Sequence, residues 1–320
     1  MGMELVKFWI RTVIDGVVLI FHFIYIYLEC LVKAVFPTRL KSLEGEIILI
    51  TGAGNGIGKD IAIQLAKSKA KLVCWDILKR DNEDTVGFLK CMGAEAFAYE
   101  VDISEKSQVD ATAARVKREI GDVTVIINNA GIGKCEKFLN FSPETIEKTF
   151  KINVLAHFWI LRQFLPKMMQ RNRGHIVTVC SIGGLKGNRY MVPYHGSKFA
   201  VHGYLESLKE ELAHAPNSGD QIKFTTVYPT AVKTRLINGI RFAFRFPSFT
   251  PFLESSYVAE RIVQGLRSNT ERVYVPSYMP FYFFLECFLP TKAQRALTDF
   301  MMYDFSPDQR IKHFGEQCAE

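Results

Sequence analysis

Apolar residues are distributed along the chain in three regimes. From about Val13 to Val35 they are nearly continuous, with Val17–Leu28 broken only by His22 and with Asp15, Glu29 and Lys33 at the edges. From Glu46 to Pro276 short apolar runs alternate with longer amphipathic stretches. Beyond Pro276 follows an apolar and amphipathic extension. The middle regime predicts strands at Ile47–Ile50, Leu72–Trp75, Ala96–Val101, Val123–Ile127, His175–Cys180, Lys223–Tyr228 and Val273–Val275. Between them it predicts helices at Ile57–Lys69, Glu83–Met92, Lys106–Ile120, Pro143–Gln170, Val192–Ala213 and Ser256–Ser268. Strands and helices in strict alternation give an α/β fold, a doubly wound parallel sheet of Rossmann type with helices on both faces. No repeat or low-complexity linker interrupts it, so the organisation expected is a membrane-associated segment over 1–40, one domain over 41–276 and an extension over 277–320.

A helix that crosses a bilayer needs about 20 apolar residues, which puts the first regime on the border between spanning and lying in the interface. A retained anchor is one reading. A cleaved signal peptide fits Lys7 and Arg11 but lacks a small-x-small cleavage site before Pro37, and a buried core helix is the third reading. Cations flank both ends, Lys7 and Arg11 before and Lys33, Arg39 and Lys41 after, so the distribution of positive charge sets no orientation.

Composition narrows the classes further. The 320 residues are 48% hydrophobic and 23% charged, ordinary for a globular chain, but 25 phenylalanines point to apolar surface put to use. The net charge of +7 suits an anionic membrane surface, and without a nucleic-acid-binding motif it does not indicate nucleic acid. Seven scattered cysteines, without a C-x-x-C pair or a His cluster at ligand spacing, predict free thiols in a reducing compartment and no metal. The sequon at Asn140 is followed by Pro143, a poor acceptor context, and no lipidation signal is present at either end.

The candidate chemistry begins where the first strand meets the first helix, at Thr51-Gly52-Ala53-Gly54-Asn55-Gly56-Ile57-Gly58. Glycines there let backbone N–H groups approach a pyrophosphate, whose charge the helix N-terminus favours. The spacing is G-x-x-x-G-x-G, not the general G-x-G-x-x-G. Asp76 ends the second strand, where a carboxylate can bond a ribose 2′-hydroxyl and repel a 2′-phosphate, which favours NAD over NADP; capping a turn is its other reading, and Lys79 and Arg80 stand near enough to receive a phosphate. Asp102 either faces the adenine or is a plain turn residue. Asn128-Asn129-Ala130-Gly131 follows the fourth strand and Ser181 the fifth. Tyr194 and Lys198, one helical turn apart, project from one face. A phenol of ordinary pKa near 10 needs a neighbouring cation to act as a base, and Lys198 supplies that charge while Ser181 bonds the substrate oxygen.

With these motifs in this order, the chain resembles the short-chain dehydrogenase/reductase family from Glu46 to about Pro276. The resemblance implies that Asn153 is a fourth catalytic residue, holding a water that links the lysine to solvent. It also implies that Pro229-Thr230-Ala231-Val232-Lys233-Thr234 corresponds to the family's P-G-x-V-x-T segment, with Thr234 on the nicotinamide carboxamide and Thr230 in place of the usual glycine. The leader ending in Phe36-Pro37, Gly45-Glu46-Ile47, Trp75-Asp76-Ile77 and Phe288-Leu289-Pro290 are similar to the membrane-associated retinol and 17β-hydroxysteroid dehydrogenases. That similarity implies NAD-dependent oxidation of a lipophilic alcohol at the endoplasmic reticulum membrane or a lipid droplet, with the catalytic domain in the cytosol.

Phe242, Phe244, Phe246, Phe249 and Phe252 follow Thr234 and are read either as core or as an apolar lid over the substrate. Tyr278–Phe284 is too short to span a membrane and is a candidate interfacial contact. His195 is expected to turn away from the Tyr194 face and to be structural, and Cys180 to be a small buried residue. The competing function is a membrane or lipid-droplet scaffold that binds NAD without turnover, and the sequence leaves a homodimer open.

Overall fold

The computed structural model describes residues 2–35, 40–237 and 240–307 and divides into two compact units, one up to Lys41 and the other from Ser42. The Phe36-Pro37 marker, Arg39 and the stretch from residue 308 on lie outside the described residues. The first unit is one helix, α1, Gly2–Val35. Its Met3–Glu29 stretch of 27 residues is long and apolar enough to cross a membrane, and none of it is buried. At about 1.5 Å per residue it extends roughly 40 Å, against roughly 30 Å of bilayer hydrocarbon.

The second unit is built on seven parallel strands. They are β1 Ile47–Thr51, β2 Lys71–Asp76, β3 Glu95–Glu100, β4 Val125–Asn128, β5 Gly174–Val179, β6 Ile222–Pro229 and, after a separate strand β7 at Ile240–Phe244, β8 Arg272–Val275. Their order across the sheet is β3-β2-β1-β4-β5-β6-β8. Helices α2 Gly56–Leu65, α3 Lys79–Cys91 and α8 Ser255–Ser268 cover one face; α4 Lys106–Glu119, α6 Ala156–Gln170 and α7 Val192–Ala213 cover the other. Because side chains alternate along a strand, Ile48 and Ile50 enter the first core and Leu49 the second. Both faces are buried, and that is why the strands read as unbroken apolar runs. The strand order reverses between β1 and β4, which opens a crevice at the carboxyl ends of these strands, the position where ligands bind open α/β sheets.

Two elements differ from the sequence expectation. The helix predicted over Pro143–Gln170 is α5, Pro143–Phe150, joined to α6 through one wide π turn at Lys151–Leu155. Such a turn accommodates an extra residue and re-aims its side chains, and here it buries Ile152, Asn153 and Val154. The segment after Thr234, read as core or lid, and the extension after Pro276 are joined to each other. The extension forms α9 Met279–Cys287, α10 Thr291–Met301 and β9 Met302–Pro307, and β9 pairs antiparallel with β7.

Candidate active site

The glycine-rich turn is built by close approach. Gly52 and Gly56 have φ of +69° and +53°, which side chains rarely adopt, and a Cβ on Gly58 would lie 2.1 Å from the Gly52 carbonyl oxygen. Asn129 ties this turn to the end of β4: its Nδ2 donates to the carbonyls of Thr51 and Gly52 at 2.9 and 3.3 Å. The Thr51 hydroxyl accepts from the N–H groups of Asn129 and Ala130 at 3.0 and 3.1 Å, a knot that sequence reasoning passed over although Thr51 opens the motif. Asn55 is the N-cap of α2 with an exposed side chain that makes no capping bond, and Ile57 lines the cavity described below.

Asp76 takes on the turn-capping part of its two readings. Its carboxylate accepts from the N–H of Gly54 and of Leu78, each at 2.8 Å, so it holds the glycine turn against the start of α3. Each oxygen keeps a further lone pair for a ribose hydroxyl. Asp102 likewise caps a turn, accepting from the Ser104 N–H at 2.9 Å and its hydroxyl at 2.7 Å. Thr234 lies across the crevice from these, with its Cγ2 3.2 Å from where a Cβ on Gly56 would stand. Cradle, carboxylate and helix N-terminus together suit a dinucleotide.

Ser181, Tyr194 and Lys198 converge at the carboxyl end of β5. Ser181 Oγ accepts from the Gly183 N–H at 3.0 Å, and its hydroxyl is hydrogen-bonded to Tyr194. Tyr194 is pushed up to about 12 by burial, opposed by its hydrogen bond with Ser181, so in this state it carries its proton. Lys198 donates to the Val179 carbonyl at 2.9 Å, with its Nζ 5.7 Å from the centre of the Tyr194 ring. Burial lowers the Lys198 pKa. Asn153 is brought to the same place, but its side chain is committed: Nδ2 donates to the Ile132 carbonyl and to Ser197 Oγ, both at 2.9 Å, and Oδ1 accepts from the Ile132 N–H at 2.9 Å.

These groups form one end of an apolar cavity of about 460 Å³. Its walls come from the Ser181–Met191 loop, the Pro229–Ile237 loop, β7, α9 and β9. The aromatic stretch thus becomes wall: Phe244 and Phe249 line the cavity, while Phe246 packs against Phe300 of α10 in a tilted pair with ring centres 5.9 Å apart. Sequence reasoning missed Lys186, which lines the cavity and whose ammonium pairs with the buried Glu286 of α9 and, at 2.9 Å, with the Thr298 hydroxyl of α10. Only its place five residues after Ser181 hinted at it. His195 does not turn away from Tyr194 as expected: its ring meets that of Tyr194 edge-on at 5.7 Å and lines the same cavity, while its Nδ1 lies 3.0 Å from the N–H and 3.1 Å from the carbonyl oxygen of Asn188. Cys180 is buried, with its thiol pKa raised by burial, which does not suit a nucleophile.

A model of the short chain dehydrogenase family matches residues 46–242. Human 17-beta-hydroxysteroid dehydrogenase 13 is 40% identical over 289 residues, 90% of this chain and 93% of that protein. Human epidermal retinol dehydrogenase 2 is 39% identical over 275 residues, 86% of this chain and 88% of that protein. Among solved structures, a short-chain dehydrogenase/reductase from Burkholderia phymatum in complex with NAD superimposes with a TM-score of 0.67 at 25% identity, covering 76% of this chain and 93% of its own. An alcohol dehydrogenase from Thermococcus sibiricus complexed with 5-hydroxy-NADP shares the fold, at a TM-score of 0.63 and 23% identity over 72% of this chain and 95% of its own. Fold, knotted glycine turn and Ser–Tyr–Lys cluster agree with these likenesses, and the chain belongs to the short-chain dehydrogenase family.

Proposed function

We propose that the protein is an NAD(H)-dependent oxidoreductase that interconverts a lipophilic alcohol and its carbonyl, of retinoid, steroid or related lipid type. The observation that carries this reading is the meeting of Ser181, Tyr194 and Lys198 in a cavity that runs from the nicotinamide side, at Ile57, Asn129 and Thr234, along an apolar wall that includes Phe244, Phe249 and Phe281 and suits a lipophilic ligand. The names of the relatives, hydroxysteroid and retinol dehydrogenases, support the same class. Gly52, Asn55, Gly56, Ile57 and Gly58 cradle the pyrophosphate, Asp76 meets the adenosine ribose, Asp102 the adenine, and Asn129 and Thr234 the nicotinamide half. When bound, the cofactor supplies the hydride acceptor or donor. Ser181 then orients the substrate oxygen, and Tyr194 gives or takes its proton. Lys198 holds the nicotinamide ribose and biases the phenol, and Asn153 keeps the π turn open behind it. Asp76 favours NAD, since a 2′-phosphate would face a like charge.

In this reading residues 1–40 anchor the protein in the endoplasmic reticulum membrane or on a lipid droplet, 41–276 hold the cofactor and reacting groups, and the described part of the extension, 277–307, completes the cavity wall. Purified full-length protein in detergent micelles, supplied with NAD or NADP and with retinol, estradiol or a fatty alcohol, tests it. Nucleotide-dependent carbonyl formation with NAD ahead of NADP is expected. Nucleotide binding with no turnover of any alcohol would replace the enzyme by a scaffold.

A further inference from the structure

Thr230 stands where the family's segment carries glycine, and the mechanism above gives its side chain no part. Its hydroxyl oxygen is buried and makes no hydrogen bond among the described residues. A buried hydroxyl without a partner is destabilising, whereas valine has the same shape and would fill the place without that penalty. The residue also lines the active-site cavity, together with Pro229, Ala231, Val232 and Thr234 of the same segment. Its backbone is pinned. The Thr230 N–H donates to the Val275 carbonyl, the Ala231 carbonyl accepts from the Leu253 N–H, and the Lys233 N–H donates to the Leu253 carbonyl, each at 2.9 Å. The hydroxyl is therefore free to move only about χ1, where a turn of about 120° to the next staggered position brings it from the buried side of the residue toward the cavity.

What it can meet there follows from the polar groups at the reacting end. Ser181 and Tyr194 serve the reacting oxygen, and the rest of a lipophilic substrate offers no partner. The nicotinamide carboxamide offers several, since its oxygen accepts and its nitrogen carries two hydrogens. Thr234, four residues on, stands against the glycine turn, with its Cγ2 3.2 Å from where a Cβ on Gly56 would lie, and one hydroxyl leaves part of that amide unserved. Resting on the reading that the protein uses NAD(H), we propose that Thr230 is a further cofactor-binding residue whose hydroxyl hydrogen-bonds the nicotinamide carboxamide. A glycine at this position has no group for such a bond, so the contact is a feature of this chain and not of the family's segment.

Thr230→Val removes the hydroxyl at nearly constant shape, and Thr230→Ser keeps it. Full-length wild type and both variants, in detergent micelles, are titrated with NADH and with ADP-ribose, which lacks the nicotinamide. In Thr230→Val the Kd for NADH is expected to rise about 3- to 10-fold, the worth of one neutral hydrogen bond, while that for ADP-ribose changes less than about twofold. Thr230→Ser holds both within about twofold. The urea midpoint of unliganded Thr230→Val does not fall, because in that state the hydroxyl bonds nothing. Wild-type NADH affinity in Thr230→Val overturns the proposal, and a raised KM for the alcohol in that variant would then assign the hydroxyl to the substrate. Equal losses of NADH and ADP-ribose, or a lowered urea midpoint, also overturn it, since the substitution would then disturb the segment itself. So does a Thr230→Ser that loses as much NADH affinity as Thr230→Val, which would leave the methyl as the group that matters. A wild type that does not bind NADH overturns the NAD(H) reading and this inference with it, whereas NADH binding indifferent to the Thr230 hydroxyl overturns the inference alone.

Discussion

Tyr194 and Asp76 show how far single residues depend on their surroundings. Burial holds the Tyr194 proton, with a pKa of about 12, so the hydroxyl is placed as a proton donor. Tyr194→Phe removes that proton and little volume. A kcat loss of about 10²- to 10⁴-fold with unchanged NADH affinity is expected, and a rate near wild type would take Tyr194 out of the chemistry. Asp76→Ser is expected to raise the kcat/KM ratio of NADP to NAD, because the like charge is gone and Lys79 and Arg80 remain nearby. The same change strips an acceptor from the Gly54 and Leu78 N–H groups, so NAD affinity falls as well. A variant that keeps the wild-type cofactor ratio removes Asp76 from cofactor choice. His157 carries a third prediction. It is buried, 3.0 Å from the Tyr204 hydroxyl, and its pKa is lowered to about 3 by burial first and by the Lys198 charge second. Unfolded, it titrates near its ordinary 6.5, so between pH 6.5 and 3 the unfolded chain binds the extra proton. Stability is therefore full above pH 6.5 and falls by about 1.4 kcal/mol per unit below it. Urea denaturation at pH 7.5 and 5.5 reads the slope, and an equally steep slope in His157→Asn would assign it elsewhere.

At the scale of elements, the site is held by two contacts, one local and one between segments far apart in sequence. The first is the approach of α2 to the Gly52 carbonyl. Gly58→Ala would put its Cβ 2.6 Å from Asn129 Nδ2 as well as into that carbonyl, so both the turn and the β4 end must shift. Loss of NADH binding is expected, read by titration of NADH fluorescence, with the fold kept by circular dichroism; unchanged binding would show that the turn tolerates a side chain. The second is the Lys186–Glu286 pair, with Glu286 8% exposed and Lys186 29%. It fastens the loop after Ser181 to α9 and, through Thr298, to α10. Glu286→Ala leaves the cation partly buried without its counter-charge. A loss of about 1–3 kcal/mol and a raised KM for the lipophilic substrate are expected, and a variant with wild-type KM would mean that α9 does not shape the cavity.

For the whole molecule, α1 and the aromatic rim of the cavity compete as the membrane contact. Phe281, Phe284, Leu285 and Phe288 on and just after α9 are all at least half exposed. Deleting residues 2–35 is expected to release the protein from sedimenting membranes while NADH still binds, because the first strand begins at Ile47. Continued sedimentation of a folded, NADH-binding truncation would move the anchor to the α9 rim.

Local pattern alone determined the sheet, its flanking helices and the cofactor and proton-transfer motifs, for a physical reason. A parallel strand buried on both faces must be apolar throughout, a cradle for pyrophosphate must be glycine, and Tyr194 and Lys198 share a helix face whatever surrounds them. Only the tertiary structure decided the rest, because it depends on segments that meet from afar. The π turn that aims Asn153 inward has no signature in its residues. The pairing of β7 with β9 across some 60 positions turns an aromatic stretch and a tail into one wall.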